Sequence, residues 1–470
     1  MFPGTNFDKY SLIKFNNFMK KYYLRILSLL ILSSCQVENL DIEGETTNIP
    51  LATCIDGVAK IEGTDHGYFC SDFNLMGYVS LEEMEAEAGN DIWGWTDLKD
   101  NGGDGKEYAI MGLNNGTAFI DISDPTKPIY LGKLPTATED SMWRDMKVYN
   151  NHVFIVSEAT EHGLQIFNLS KLRGVESQQV FSADYIDNSF GQAHNIAINE
   201  VLGYAYIAGS CYDTQCKLDR SNSKGLYVFD VSNPLNPEVV TESPSFGYSH
   251  DAQIVTYKGP DQDYVGKEIY IGSNEDRVVF IDVTNKSEPK LISVFDDYDH
   301  QYTHQSWLTD DHKYALLGDE LDELDSSGNL MSNARTRTVI IDLSDLDSPK
   351  KHFEYLAETN AIDHNGYVKG TKFFLASYTA GLRVLDLLNI NQKNIVEMGF
   401  FNTFHDNTDL DQGLPKLNTI KNQDPGGDHS GKKGNSEAFN GAWSVYPYFK
   451  SENIIISDIN SGLFIVKKQN

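Results

Sequence analysis

The chain has 470 residues, with 38 Lys and Arg against 68 Asp and Glu, for a formal net charge of −30. Such a charge opposes nucleic acid and anionic lipid surfaces, so no nucleic-acid partner is expected. Aromatic residues reach 11% and helix-length apolar patterns are few, which favours an all-β fold.

In chain order, the first element is "MKKYYLRILSLLILSSC", residues 19–35. It opens on Lys20, Lys21 and Arg25, continues with the apolar run Ile26 to Leu32, and ends on small residues. That is the build of a secretory signal, too short for a stable transmembrane anchor. Residues 1–34 are therefore expected to be removed, with Met19 as the true start because residues 1–18 do not read as a signal. The junction "LSSC" resembles a bacterial lipobox, and the resemblance implies cleavage before Cys35 and acylation of its thiol; an ordinary signal cut nearby is the alternative. The expected location is the outer membrane or cell surface, with the periplasmic face also open. Residues 35–53 are polar and acidic and read as a flexible tether. The mature chain then carries 33 basic and 67 acidic residues, a net charge of −34. Four cysteines remain, and in an oxidising compartment they read as two local disulfides, Cys54 with Cys70 and Cys211 with Cys216. A zinc site would need more, or better spaced, thiols.

From here one unit recurs. Its signature strand reads "TAFIDIS" (117–123), "GLQIFNLS" (163–170), "GLYVFDVS" (225–232), "RVVFIDVT" (277–284), "RTVIIDLS" (337–344), "GLRVLDL" (381–387) and "GLFIVK" (462–467). The composition is that of a short buried strand. The Asp and Ser/Thr at its end, followed by Pro in "DISDPTKP" and "DVSNPLNP", predict a turn capped by side-chain oxygens. A second strand precedes each copy, such as "HVFIVSE" or "EIYIGSNED", and a third precedes that, such as "AHNIAI", "SHDAQI", "THQSWL" or "DHNGYV". A weaker fourth follows, such as "PIYLGKL" or "KLISVF". Seven such units predict a seven-bladed β-propeller of four-stranded blades. The last unit ends after its third strand. The orphan stretch "NLMGYVSL" (74–81) is expected to complete that last blade and close the ring. The propeller thus spans 54–470, with a polar insertion loop at about 402–438.

Together the signature strands resemble the LVIVD repeat. "NDIWGWTD", "NGTAFIDISDPTKPIYLGKLPT", "WRDMKVYNNHVFIVSE", "SHDAQIVTYKGPD" and "YTHQSWLTDD" further resemble the choice-of-anchor B family over nearly all of Cys54 to Val466. The resemblance implies a propeller in an exported, surface-anchored bacterial protein. It implies no reaction.

Four histidines, His194, His250, His304 and His364, start the innermost strands of consecutive units, each followed by Asn195, Asp251, Gln305 or Asn365. Arg144 takes that place in the second unit, and Gly94 and Gly441 are read there in the first and last. The loops between second and third strands open on the same face and carry Glu158, Glu275, Asp319, Glu320 and Asp458. Convergence of His and carboxylate around one mouth suits a divalent cation or a polar ligand held by charge-assisted hydrogen bonds. The metal ligands expected are His250, His304, His364, Glu275, Asp319 and Glu320; Arg144, Glu158, His194, Asn195, Asp251, Gln305, Asn365 and Asp458 are the other ligand-binding candidates. Nearby carboxylates would raise the histidines' pKa. A histidine copied into each unit equally suits a structural lock between blades. "DLKDNGGDGKE" (97–107) has Ca²⁺-like spacing but lacks a distal Glu and reads as a turn. Trp93 and Trp95 fit core packing better than stacking on a ligand.

Two functions follow as expectations. The first is a monomeric, lipid-anchored binding module that grips a small ligand or protein partner at its channel mouth. The alternative is a metal-dependent hydrolase or lyase using the same His–carboxylate face.

Overall fold

The structure is a computed structural model, and it describes residues 49–63, 67–212, 223–404 and 438–469. The signal segment, Cys35, most of the tether, Cys216 and most of the insertion loop lie outside the described residues. Among the described residues no helix is long and apolar enough to cross a membrane.

The repeated sequence unit becomes a repeated antiparallel sheet, and the fold is an all-β propeller with four-stranded blades. Sheet one holds Gly89–Thr96, Glu107–Leu113, Gly116–Asp121 and Ile129–Pro135. Sheet two begins at Arg144–Tyr149, sheet three at Asn195–Asn199, sheet four at Asp251–Thr256, sheet five at Thr303–Leu308 and sheet six at Gly366–Lys369. These six are each drawn, in their four core strands, from one stretch of chain. A further sheet is composite: Ala442–Tyr446, Ile454–Asp458 and Gly462–Lys468 come from the C-terminal end, and Phe73–Ser80 adds the fourth strand.

The signature strand is buried on both faces because a sheet packs against each side of it. Its terminal Asp does what its turn chemistry requires: Asp121, Asp230, Asp282 and Asp342 each accept from the amide two residues on, at 2.9–3.0 Å. The ladder to the outer strand shifts register near the middle of the signature strand, as at Phe119/Ile120, Val228/Phe229, Phe280/Ile281, Ile340/Ile341 and Val384/Leu385. Such a bulge adds twist at the sheet's outer side. The outer strand is the most exposed, as in Lys350–Leu356.

Apolar contacts fill the wedges between consecutive sheets. Ile271 and Phe280 of sheet four meet Leu317 and Ile341 of sheet five. The composite sheet's Ile455, Leu463 and Ile465 meet Ala109, Met111 and Ile120 of sheet one. At roughly 25 cal/mol per Å² of apolar surface removed from water, these wedges are the main favourable term.

Two outer edges carry additions that the repeat pattern does not predict. Gln179–Val180 pairs parallel to the outer strand of sheet one, and Gly67–Ser71 pairs with the outer strand of sheet six. Both cover strand edges that would otherwise be open to another chain. Cys54 and Cys70 form a disulfide across 16 residues. Cys211 is also disulfide-bonded, while Cys216 lies outside the described residues. Ordered pairing starts slightly earlier than expected, since the Ala52 amide donates to the Leu75 carbonyl at 3.0 Å.

Phe73–Ser80 pairs with Gly462–Lys468 from Phe73↔Lys468 to Ser80↔Gly462, and its Leu75 is fully buried. Deleting residues 73–80 should therefore lower the melting temperature far more than deleting 36–48. Leu75→Ala alone should cost about 2–5 kcal/mol in denaturant unfolding. Equal melting temperatures for the two deletions would contradict the strand's structural role.

Candidate functional site

Each inner strand brings two successive side chains to the centre. The first of each pair forms a tier of rings. His194 and His250 have centroids 3.9 Å apart, His250 and His304 4.5 Å, and His304 and His364 4.3 Å. Trp443 continues the arc at 4.6 Å from His364. Arg144 is fully buried on the other side. It donates to the Leu113 carbonyl at 3.2 Å and to Nε2 of His162 at 2.9 Å.

The second residue of each pair forms a tier of polar groups. Asp251 Oδ2 accepts from Asn195 at 3.0 Å and from Gln305 at 3.3 Å. Gln305 in turn accepts the Gly366 amide at 2.7 Å. Asn365 donates to Ser444 at 3.2 Å and to Asp91 at 3.4 Å. Asp145 accepts the Ile196 amide at 2.8 Å and the Lys147 ammonium at 2.6 Å. Asn195, Asp251, Gln305 and Asn365 are thus ties between sheets.

Between the tiers remains a cavity of about 10 Å³, the room of one water. Arg144, His194, Asn195, His250, Asp251, His304, His364 and Asn365, expected from sequence at the channel mouth, all line it. The expectation of an open mouth is corrected. The imidazoles crowd together as tilted pairs and close the channel, leaving His250, His304 and His364 at most 4% exposed.

Two placements from sequence are also corrected. Gly94 is not a strand start but lies mid-strand, where a Cβ would stand 2.2 Å from Tyr446. The central residues of the first and last inner strands are Asp91 and Trp443, not Gly94 and Gly441.

The loop acids divide. Glu158 accepts from Nδ1 of His194 at 2.6 Å. Glu320 reaches the ring tier: its Oε2 lies 3.7 Å from Nε2 of His304, and its Oε1 3.7 Å from Nε2 of His364. The donor atoms of His304, Glu320 and His364 all lie within 4.8 Å of one another. Glu320 is oriented by the Tyr378 hydroxyl at 2.8 Å, and His364 donates from Nδ1 to the Trp443 carbonyl at 2.6 Å, which leaves Nε2 as an acceptor. Neither ring nitrogen of the buried His304 has a hydrogen-bond partner among the described residues.

The other proposed metal ligands do not join this group. His250 turns Nδ1 toward the His304 carbonyl at 3.4 Å. Asp319 accepts the Gln301 and Tyr302 amides at 2.7 and 2.6 Å. Glu275 accepts from the Tyr302 hydroxyl at 3.2 Å. Asp458, a ligand-binding candidate, caps its own turn through the Asn460 and Ser461 amides. Backbone amides near strand ends compete for acids, and Asp319 and Asp458 satisfy them.

Burial decides the electrostatics. It pushes His364 down to about 3 and His304 well below the usual imidazole range, with the neighbouring imidazoles adding to the effect. The raised values expected from nearby carboxylates are therefore corrected, since desolvation outweighs them. The same burial lifts Glu320 to about 7 and Asp251 to about 7. It also opposes the charge on Lys147, but Asp145 and Asp91 outweigh it and hold the ammonium above its usual range.

Asp91, Asp145, Lys147 and His162 were missed from sequence. Asp145 stands in "WRDMKV" at the register of Asn195 and Asp251, a signal that alignment of the strand starts does carry. In "DLKDNGGDGKE", Asp97 accepts two Arg173 donors at 2.7 Å each, the bidentate contact of a pinned turn. Trp93 packs edge-on against Tyr367 and Tyr446 in the core.

Comparison with known proteins now has a geometry to attach to. The LVIVD repeat matches twice, at residues 106–136 and 265–297. Each match covers the second, third and fourth strands of one sheet, in sheets one and four. The fold and these matches define a β-propeller with LVIVD repeats. No curated protein matches the chain. Among solved structures, it is similar to Kuenenia stuttgartiensis hydrazine synthase at 12% identity and TM-score 0.46, covering 76% of this chain and 91% of that one. It is also similar to the Cps50 (Swd1) β-propeller domain of Myceliophteria thermophila at 8% identity and TM-score 0.45, covering 77% and 94%. Neither likeness bears on activity.

Asp251 supplies a pH test. Its folded value of about 7 lies above the ordinary 3.8, so the folded chain binds this proton more tightly than the unfolded chain. Its contribution to stability is then full below about pH 4 and falls as pH rises to about 7. Asp251→Asn should remove that slope, gaining stability relative to the parent protein between pH 4 and 7 in denaturant titrations. Parallel pH profiles for the two proteins would contradict the burial of Asp251 as its acid.

Proposed function

We propose that this chain is an exported, lipid-anchored β-propeller that serves as a binding module, and that its channel mouth holds a divalent metal ion in place of an organic ligand. In this reading the seven sheets close into one ring, Phe73–Ser80 is the clasp, and Cys35 with its acidic tether joins the ring to a membrane at the outer or cell surface. Two acyl chains supply a hold that one does not.

The observation that carries the reading is the buried group His304, Glu320 and His364. Two neutral imidazoles and one carboxylate are a donor set for zinc-class ions, whose ligands stand roughly 3.4 Å apart when each is about 2.1 Å from the metal. The 3.7 Å separations here approach that spacing. The cavity of about 10 Å³ admits a water or an ion and nothing larger. A protein partner would then bind on the blade surfaces, and the strong negative charge favours a cationic one.

One observation favours the second reading, a metal-dependent hydrolase or lyase: three protein ligands leave an open position on a tetrahedral ion, as catalytic zinc sites do. It needs a substrate path that the crowded rings close.

Protein purified without added metal should carry about one equivalent of zinc, copper, manganese or iron. His304→Ala should lose it while keeping a cooperative melt, as should Glu320→Ala. Metal content unchanged in both variants would overturn the site. Separately, Cys35→Ala should release the protein from membranes or block its processing; unchanged membrane retention would overturn the anchor.

A further inference from the structure

Beside the histidine group lies a second cluster with different chemistry. Asp322 and Glu323 sit in the loop after the strand Tyr314–Asp319 of sheet five. Asp363 precedes the first strand of sheet six, Gly366–Lys369. One oxygen from each of the three lies within 4.8 Å of the others. Glu323 and Asp363 are each 1% exposed. Among the described residues both oxygens of Asp363 have no hydrogen-bond partner, while the Glu323 and Asp322 carboxyls face each other with no other residue bonded to the Glu323 carboxyl or to Oδ1 of Asp322.

Charge does not balance within the protein. Arg337 is the cation at the cluster, paired with Asp322 Oδ2, and it is shared with Asp319 at 3.8 Å and Glu354 at 3.7 Å. Burial lifts Glu323 and Asp363 well above the usual carboxyl range, so without an ion they hold protons; fully ionised, the three carboxylates against one shared guanidinium leave a formal excess of two negative charges. Unpaired buried carboxylates are among the most costly groups a fold can hold. The backbone also makes room for them: a Cβ on Gly318 would lie 2.4 Å from Oδ2 of Asp363.

We infer that Asp322, Glu323 and Asp363 form a site for a hard divalent cation of the Ca²⁺ class, which ties the sheet-five loop to the entry of sheet six. The donors are all oxygen, the preference of hard cations and not of the zinc-class ions proposed for the histidine group. Oxygens on opposite sides of a Ca²⁺ ion stand about 4.8 Å apart at bonds of roughly 2.4 Å, so the observed spacing needs little rearrangement. An ion that displaces those protons meets a formal excess charge of two, equal to its own. Its role is structural, because the cluster joins two consecutive sheets. It also lies beside Glu320 and His364, neighbours in sequence to Glu323 and Asp363, and so stiffens the elements that carry them.

The test is a calcium titration of the full chain after EDTA treatment, read by calorimetry and by thermal melting. The parent protein should bind one equivalent of Ca²⁺ at this site and melt higher with it. Glu323→Gln with Asp363→Asn should lose that equivalent and the calcium-dependent rise. No calcium binding by the parent protein would overturn the inference without recourse to any variant. So would calcium binding retained in full by the double variant, or a double variant that melts above the calcium-saturated parent, which would mark the carboxylates as buried acids.

Discussion

Every inner strand delivers a polar side chain into a channel with room for about one water, so most such groups must find a partner on a neighbouring strand. Asp251 is the clearest case. It receives Asn195 from sheet three and Gln305 from sheet five, and Gln305 passes the connection on to the Gly366 amide of sheet six. The tier therefore sets the spacing and order of the sheets in a way that apolar wedges alone do not. Apolar packing is tolerant of exchange, whereas a buried donor without its acceptor costs roughly 1–3 kcal/mol. The rings above the tier inherit their positions from it, since each imidazole is one residue before a tied side chain.

Much of this was legible in the sequence. The turn chemistry of "DISDPTKP" and the spacing of "AHNIAI", "SHDAQI", "THQSWL" and "DHNGYV" placed the strands, the histidines and the amides that follow them. Three things were not legible. The first inner strand was read as starting at Gly94 because "WGWTDL" resembles a strand by itself; a register shift between Gly89 and Ile92 displaces the true start. The loop acids look alike in sequence, yet backbone amides take Asp319 and Asp458 while Glu320, Asp322 and Glu323 stay available, and amide direction is not written in residue type. Last, an open mouth and a closed one have the same sequence signature. Ring-to-ring distance separates them, and it depends on the tilt of strands whose residues are far apart in the chain.

In the proposed reading, lock and ligand site are divided between two sets of residues. Asn195, Asp251, Gln305 and Asn365 each bond across to a neighbouring sheet and hold sheets together. His304 has no hydrogen-bond partner among the described residues, although burial makes an unsatisfied imidazole expensive. A buried imidazole with neither nitrogen bonded, two of whose neighbours in the same cavity, Arg144 and Asn195, also keep an unpartnered polar atom, is a place where something other than protein can be held. The same reasoning, applied to carboxylates in place of imidazoles, identifies the neighbouring acid cluster. Two clusters of different donor chemistry, His304–Glu320–His364 and Asp322–Glu323–Asp363, thus flank the junction of sheets five and six, which makes that junction the chemically distinctive part of an otherwise repetitive set of sheets.

The most direct measurement is a crystal structure with anomalous diffraction recorded at the absorption edge of the metal found in the protein. The account predicts one anomalous peak about 2.1 Å from Nε2 of His304, Nε2 of His364 and a Glu320 oxygen. A peak-free map, with His304 rotated to bond a water or the Glu320 carboxylate, would contradict it.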